Sequence, residues 1–255
     1  PPYSSAASDV YKRQHSKWAN IKHRKGRQDE KRQKIFSKLI RELTVASKLG
    51  GPEPTDNPRL RLALDKALGA NMPKDTIERA IARGSGDQET DNLEETIYEG
   101  YGPNGVAIIV ETLTDNKNRT VAEVRHAFSK YGGSLGTDGS VAYLFTKVGQ
   151  IVVQNTDEEK IFDISVSNGA EEIEKGDESN LIISAEVEEF HNLKNILEEK
   201  DINIIEYELI MKAANSVELD DEASEKVIKL LESLEDLDDV QNVHSNAEFS
   251  LGSFT

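Results

Sequence analysis

Apolar residues recur at a helical period in three successive segments of the first third of the chain. The first segment runs from Gly26 to Leu49, and Gly50-Gly51-Pro52 ends it. Asn57-Pro58 then begins a second helix, with Asn as the N-cap and Pro at the first helical position. Asn71-Met72-Pro73 separates this from a third helix, which stops at Gly84. On the first helix, one apolar face is formed by Ile35, Phe36, Leu39, Ile40, Leu43 and Ala46. The pattern predicts a small three-helix domain.

After a polar linker from Ser85 to Glu95, strands and helices alternate. Strands are predicted at Gly105–Leu113, Val141–Thr146, Gly149–Gln154, Ala170–Glu174, Leu181–Val187, Ile202–Leu209, about 210–219 and Val240–Phe249. Helices are predicted at 120–131, after the capping box at Thr156, at Glu189–Lys200 and at Glu222–Leu237.

The block from 149 to 210 has the order β-α-β-β-α-β, which is ferredoxin-like, and the flanking pieces give the same order when they are joined. The expected fold is therefore α+β and multidomain. A three-helix domain is followed by two ferredoxin-like α/β domains, one inserted in the other. The expected boundaries are a non-native or disordered leader at 1–14, the helical domain at 15–86, one α/β domain at 87–147 plus 211–255, and the inserted domain at 148–210.

Charge is divided unequally along the chain. The net charge is −16, yet residues 15–86 hold 17 Lys and Arg against 8 Asp and Glu, whereas residues from 87 onward hold 12 against 38. A basic module on an acidic protein is the electrostatic footprint expected of a nucleic-acid-binding domain. The alternative is a solvated, charged helix start, which is what most charge runs are.

The densest basic stretch, HSKWANIKHRKGRQDEKRQK, begins at His15 and contains the only tryptophan. We expect its cations to contact phosphates, because they release condensed counterions without reading sequence. Trp18 either stacks on an unpaired base or packs on its own domain. The candidate nucleic-acid-binding residues are Lys17, Trp18, Lys22, His23, Arg24, Lys25, Arg27, Lys31, Arg32, Lys34 and Lys38.

A second candidate contact region is the glycine-rich stretch from Gly132 to Ser140. It follows a helix and precedes a strand, the reverse of dinucleotide and P-loop sites, and no Gly-Lys-Ser/Thr is present. We therefore expect a mobile contact loop for RNA or the ribosome and not a nucleotide site. Its candidate residues are Gly132, Gly133, Gly136, Thr137, Asp138 and Gly139.

The sequence gives little support for metal binding, catalysis or membrane insertion. The sequence has no cysteine, and its five histidines lack metal-ligand spacing. No catalytic arrangement can be argued, so we expect no enzyme activity, no cofactor and no metal. The longest apolar run, Val106 to Val110, is far shorter than the roughly 20 residues that span a bilayer, and we expect a cytoplasmic protein with no membrane partner. A metal-dependent nuclease using clustered carboxylates is the enzymatic alternative.

Two long segments carry a family resemblance. HSKWANIKHRKGRQDEKRQKIFSKLIRELTVASKLGG with NPRLRLALDKALGANMPKDTIERAIARG, and then YEGYGPNGVAIIVETLTDNKNRTVAEVRHAFSKYGGSLGTDGSVAYLF, closely resemble the YebC family. The family usually begins with Met-Ala-Gly before His-Ser-Lys-Trp, where this chain carries its odd leader. The resemblance implies a helical domain followed by two α/β domains. It also implies a probable transcriptional regulator that binds DNA or, as in some relatives, a translational activator that relieves ribosome stalling.

The expected function is therefore regulation of gene expression through nucleic acid, either DNA or ribosomal RNA. The resemblance to transcriptional regulators favours DNA. The broad basic region without an evident base-reading helix favours structured RNA, with the ribosome as a partner. The oligomeric state stays open.

Overall fold

The computed structural model describes residues 28–86, 93–176 and 180–249, and the side chains from residue 33 onward. The described residues form two compact units. Of the described residues, the first unit comprises 28–86, 93–142 and 225–245, and the second comprises 143–176, 180–224 and 246–249. The expected leader at 1–14 and most of the predicted linker lie outside the described residues.

Seven helices and ten strands are described. The helices are α1 (Gln28–Gly50), α2 (Pro58–Gly69), α3 (Lys74–Ser85), α4 (Lys117–Lys130), α5 (Glu158–Ser167), α6 (Val187–Glu199) and α7 (Asp221–Glu235). The strands are β1 (Glu94–Tyr101), β2 (Ala107–Thr114), β3 (Ser134–Leu135), β4 (Phe145–Gln154), β5 (Ala170–Lys175), β6 (Asn180–Ala185), β7 (Ile204–Ala213), β8 (Val217–Glu218), β9 (Val240–Ser245) and β10 (Ala247–Glu248). No helix among these is both long and apolar enough to cross a membrane.

The three predicted N-terminal helices are confirmed, with a shared apolar core that includes Leu43, Leu60 and Ile77. Asn57 caps α2 as expected, because its side chain accepts a bond from the Leu60 amide. The same side chain donates to carbonyls at the end of α1, which ties the two helices together. Ile35 was expected on the apolar face, but 49% of its surface is exposed.

Helices α1 and α3 lie close enough for side chains of α1 to hydrogen-bond to backbone carbonyls of α3. The Thr44 hydroxyl donates to the Ala80 carbonyl, and the Ser47 hydroxyl donates to the Ile81 carbonyl at 2.8 Å. A methyl group on Gly84 would lie 2.2 Å from the Thr44 carbonyl oxygen, far inside van der Waals contact. Glycine at this position therefore sets how closely the two helices pack.

The sheet of the first unit has the order β3-β1-β2-β9, with all neighbours antiparallel. Helices α4 and α7 cover one face, where the buried Phe128 ring lies against Gly100 and Leu230 lies against Gly102. Strand β1 was missed from the sequence, which placed a linker up to Glu95. Strand β9 comes late in the chain and pairs with β2, which supports the proposal that one α/β domain is inserted into another.

The sheet of the second unit has the order β5-β6-β4-β7, the ferredoxin-like arrangement, with α5 and α6 packed on an apolar core. Two pairs of predicted strands proved to be single strands. Strands β4 and β7 pair from Phe145 opposite Ala213 to Val153 opposite Ile204, with one register shift between Val152 and Val153. Gly149 lies within β4 and beneath the Phe190 ring, with which any side chain at this position would clash. The short strands β8 and β10 form a separate parallel pair.

The close packing of α1 and α3 gives a direct test. Replacing Gly84 with Ala should destabilise the protein by about 1–3 kcal/mol, because the added methyl meets a backbone oxygen that cannot rotate away. Gly69→Ala, near the end of α2 with no atom within 4 Å of the new methyl, is the matched control and should be neutral or slightly stabilising. Urea unfolding measures both. Equal stability of the two variants would contradict the close approach.

Candidate nucleic-acid interface

The structure describes only part of the predicted basic surface. Lys17, Trp18, Lys22, His23, Arg24, Lys25 and Arg27 lie outside the described residues. Lys31 and Arg32 belong to α1, but only their backbone is described. Lys34 and Lys38 are therefore the two candidates on α1 whose contacts can be examined.

Both lysines bind the C-terminal end of α7. Lys34 Nζ donates to the Asp236 carbonyl at 3.0 Å and lies 3.6 Å from the Asp236 carboxylate. Lys38 Nζ donates to the Glu235 carbonyl at 2.6 Å. The last carbonyls of a helix have no intrahelical partner and carry the negative end of its dipole. These lysines therefore cap α7, and their predicted contact with phosphate stays a prediction.

The next basic residue on that face of α1, Arg41, binds a buried carboxylate. Arg41 Nη1 donates to Asp239 Oδ1 and to the Asp238 carbonyl, both at 2.8 Å. The other Asp239 oxygen accepts from Arg119 at 2.7 Å, from Thr120 at 2.7 Å and from Thr114 at 3.1 Å. The Asp239 side chain is only 1% exposed. One carboxylate thus joins α1, the end of β2 and the first turn of α4.

Burial would raise the pKa of Asp239, but the bonds from Arg119, Thr120 and Arg41 outweigh it, so the pKa is lowered. The sequence analysis did not single out this residue, which closes the acidic run from Glu235 to Asp239. The helix predicted to begin at position 120 begins three residues earlier, at Lys117. Asn116 caps α4 by accepting from the Arg119 amide, and the Thr120 hydroxyl bonds Asp239 from inside the helix.

A further cation anchors the helices to the sheet. Arg59 of α2 binds Glu42 of α1 through two bonds of 2.7 and 3.1 Å, and it reaches Glu95 of β1 at 2.5 Å. Burial lowers the pKa of Arg59, but the carboxylates raise it further than burial lowers it. Arginine therefore serves here as a structural clamp and not as an exposed phosphate contact.

The cations on α3 are more available. Arg79 pairs with Asp75 one turn earlier, in an ion pair whose two side chains are both more than 70% exposed. Arg83 forms no hydrogen bond or ion pair with any described residue, and the same holds for Lys48 of α1. Exposed ion pairs of this kind contribute little stability, so Arg79 can exchange its partner at small cost.

The glycine-rich stretch from Gly132 to Ser140 contains the short strand β3 and then turns over β1. The buried Glu99 carboxylate accepts bonds from the amides of Gly139, Val141 and Ala142 at 2.7 to 2.8 Å. Burial raises the pKa of Glu99, but the three amide bonds lower it below its usual value. These contacts anchor the loop, in place of the mobile loop expected from its glycines.

The anchored loop presents its tip to solvent. Gly132, Gly136, Thr137, Asp138 and Gly139 are exposed, whereas Gly133 is half-buried. Gly133 lies so close to the Tyr101 carbonyl that a methyl group would come within 2.5 Å of it. All of these candidate contact residues except Gly133 are thus exposed to solvent, and their contact with RNA stays a prediction.

Within the described ranges, no group of three His, Asp or Glu side chains is placed to hold a metal ion. His244 Nε2 lies 3.3 Å from Glu111 Oε2, and Asn242 donates to the same oxygen. The nuclease alternative therefore has no candidate centre in this part of the chain.

Removing the charge of Asp239 should destabilise the protein. Asp239→Asn should cost about 2–4 kcal/mol at pH 7, because two partly exposed arginines lose the buried carboxylate that they share. Asp75→Asn, which breaks an exposed pair, should cost at most about 0.5 kcal/mol. Urea unfolding measures both.

The pH dependence of the unfolding free energies of the wild type and of Asp239→Asn adds a second test. A lowered pKa gives stability that is present above the unfolded value of about 3.9 and is lost as the pH falls through the folded value. The difference between wild type and Asp239→Asn should therefore shrink below about pH 4. A difference that stays constant down to acid pH would argue against an ionised Asp239.

The anchoring of the glycine-rich loop predicts hydrogen-exchange behaviour. Glu99→Gln should speed exchange of the Gly139, Val141 and Ala142 amides by about tenfold or more, because charge-assisted bonds are lost. Glu123→Gln, at an exposed position of α4, is the control and should leave these rates unchanged. Unaltered exchange in Glu99→Gln would mean that the carboxylate does not hold the loop.

Comparison with known proteins places the chain in a family. Family models for the N-terminal domain and for the second and third domains of the TACO1/YebC protein match residues 16–87 and 93–247. Probable transcriptional regulatory proteins of Pseudomonas putida and Methylococcus capsulatus are each 56% identical over 237 residues, covering 92% of this chain and 96% of each relative. The crystal structure of a conserved hypothetical protein from Aquifex aeolicus is 47% identical with a TM-score of 0.83, covering 94% of this chain and 99% of that one. The chain belongs to the TACO1/YebC family.

Proposed function

We propose that this protein regulates gene expression by binding nucleic acid through its basic N-terminal third. The observation that carries the proposal is the separation of charge, with an excess of nine cations in residues 15–86 (17 against 8) and an excess of 26 acids beyond them (38 against 12). An acidic body restricts a polyphosphate partner to the basic third. The names of the bacterial relatives, probable transcriptional regulatory proteins, also support a regulatory role.

Duplex DNA is the first candidate partner, because the relatives' names refer to transcription. The contacts would be made mainly to phosphates. On α3, whose charged residues are all exposed, Lys74 and Arg79 face Glu78 and Asp75 one turn away. Such alternating charges do not form the row of base-reading side chains that a recognition helix carries.

Structured RNA of the ribosome is the second candidate, and the alternating charges on α3 favour it. Recognition of folded RNA depends on shape and on phosphate contacts and does not need a helix in the major groove. The exposed tip of the glycine-rich loop, at Thr137 to Gly139, would be a second contact on a shaped surface. The translational activators known in the family agree with this candidate.

Within the basic third, the segment from Lys17 to Arg32 would carry most of the phosphate contacts. Lys34 and Lys38 differ, because each already donates to a backbone carbonyl at the C-terminal end of α7, with which a phosphate would compete. Substituting those two would therefore disturb the helical domain as well as any nucleic acid contact. Residues earlier in the segment are better probes of binding.

A competition experiment decides between the candidates. Labelled full-length protein is offered ribosomes and a mixed pool of duplex DNA at equal phosphate concentration and near-physiological salt. Capture on ribosomes that resists excess DNA would identify a ribosome-binding factor, whereas salt-resistant capture on a few DNA sequences would identify a transcriptional regulator. Loss of both at modest salt would contradict the proposed function.

The phosphate contacts predict a change in salt dependence. Lys22→Gln with Lys25→Gln should reduce the slope of log affinity against log salt by about 1.5, since each lost contact removes about 0.7–0.9. Lys160→Gln with Lys200→Gln, at exposed positions near α5 and α6, removes the same charge from the acidic part and should leave the slope unchanged. Equal slopes for the two double variants would mean that the basic segment is only solvated surface.

A further inference from the structure

A groove runs between α1 and α3 on the surface of the first unit. Two adjoining cavities form it, of about 260 and 190 Å³, and Ile40 and Arg83 line both. Ser37 and Thr44 of α1 line the larger cavity, and Thr76 and Arg79 of α3 line the smaller. The two cavities are therefore parts of one continuous groove along α3.

The groove has an apolar floor and cationic walls. Ile40 and the buried Ala80 lie on the floor, while Arg79 and Arg83 lie on one wall, a single helical turn or about 6 Å apart. Arg83 is exposed and has no partner among the described residues. Among the same residues, Arg79 bonds only members of its own helix, Thr76 and the exposed Asp75. Arg83 can therefore take an anion directly, and Arg79 can do so by exchanging a weak surface pair, since guanidinium groups suit phosphate geometry.

A third cation, Lys48, lies on the face of α1 that borders the groove, although it lines neither cavity. Ser37, Arg41, Thr44 and Lys48 follow one another at four, three and four residues along α1 and so share one face. A methyl group on Gly84 would lie 3.1 Å from the Lys48 amide nitrogen, which places Lys48 beside the end of α3. Lys48 is exposed and forms no ion pair with any described residue.

The acidic residue in the groove does not offset these charges. Asp115 lines the larger cavity, but it pairs with Arg119 at 2.8 Å. Arg41 is likewise matched by Asp239. Among the described residues at the groove, Arg83 and the neighbouring Lys48 form no ion pair and Arg79 forms only a weak surface pair, so these described residues carry a net positive charge.

We propose that this groove binds the phosphodiester backbone of a nucleic acid strand, with Arg83 as its principal phosphate contact and Arg79 and Lys48 as flanking contacts. The apolar floor suits the sugars that separate successive phosphates. The assignment rests on the proposed nucleic-acid-binding function and extends it, because the sequence assigned the phosphates to the residues from Lys17 to Lys38 and gave α3 no role.

Charge reversal at Arg83 tests the groove. Arg83→Glu in the full chain should weaken binding of a duplex DNA or a structured RNA hairpin by roughly fivefold and should lower the salt slope by about 1. Arg125→Glu, an equally exposed arginine reversal on α4, is the matched control and should leave both quantities near their wild-type values. Lys48→Glu, on α1, should reproduce the Arg83→Glu effect independently.

The outcomes separate this inference from the proposed function. Salt-sensitive binding by the wild type, weakened by Arg83→Glu but not by Arg125→Glu, supports the groove. Salt-sensitive binding that the two reversals affect equally overturns the groove and leaves the proposed function standing. Failure of the wild type to bind either probe overturns both. Displacement of nucleic acid by polyglutamate at equal charge would show that the groove takes acidic chains in general, and a phosphodiester occupant would then be wrong.

Discussion

The ionised carboxylate of Asp239 is the interaction on which the first unit depends. It is almost completely buried and receives bonds from two arginines and two threonines that come from three different elements. Its backbone also takes part, since the Asp239 carbonyl accepts from the Leu113 amide at 2.9 Å. A buried charge is tolerated only when it is matched in this way, and removal of either side leaves the other uncompensated. The helical domain is thereby held against the end of the β2 strand.

That arrangement divides the basic residues into two groups. Lys34, Lys38 and Arg41 are the cations that α1 directs at α7 and Asp239, so they hold the unit together. Arg83 of α3 and Lys48 at the end of α1 form no ion pair with any described residue, and Arg79 forms only a weak one. A count of charges along the sequence treats all of these alike. Their partners in the folded chain separate structural cations from those that are free to meet phosphate.

The sequence allowed the helical domain to be predicted almost residue by residue, because its signals are local. Asn57 with Pro58 gives an N-cap and a first-position proline, and the apolar period identifies the buried faces. The inserted sheet was also predicted in its correct order, although β4 and β7 were each divided in two. Their continuity comes from pairing between strands that are about 50 residues apart, which local patterns do not record.

The candidate site was less accessible to sequence reasoning. Glu99 lies in β1, a strand that was not predicted from the sequence, and its role depends on amides some 40 residues later. Asp239 closes an acidic run in which Asp236 and Asp238 are exposed and Glu235 is half-buried, and nothing in the sequence of that run distinguishes it. The groove between α1 and α3 arises from the close contact at Gly84, a position whose glycine looked like a simple helix stop.

The central claim is that nucleic acid binds the cations that have no structural task. Lysine- and arginine-specific chemical modification of the full chain, with and without saturating nucleic acid and followed by mass spectrometry, tests it most directly. The account predicts that nucleic acid protects Lys22, Lys25, Lys48 and Arg83, while Lys34 and Lys38 react equally in both samples. Strong protection of Lys34 and Lys38, with Lys48 and Arg83 unchanged, would contradict it.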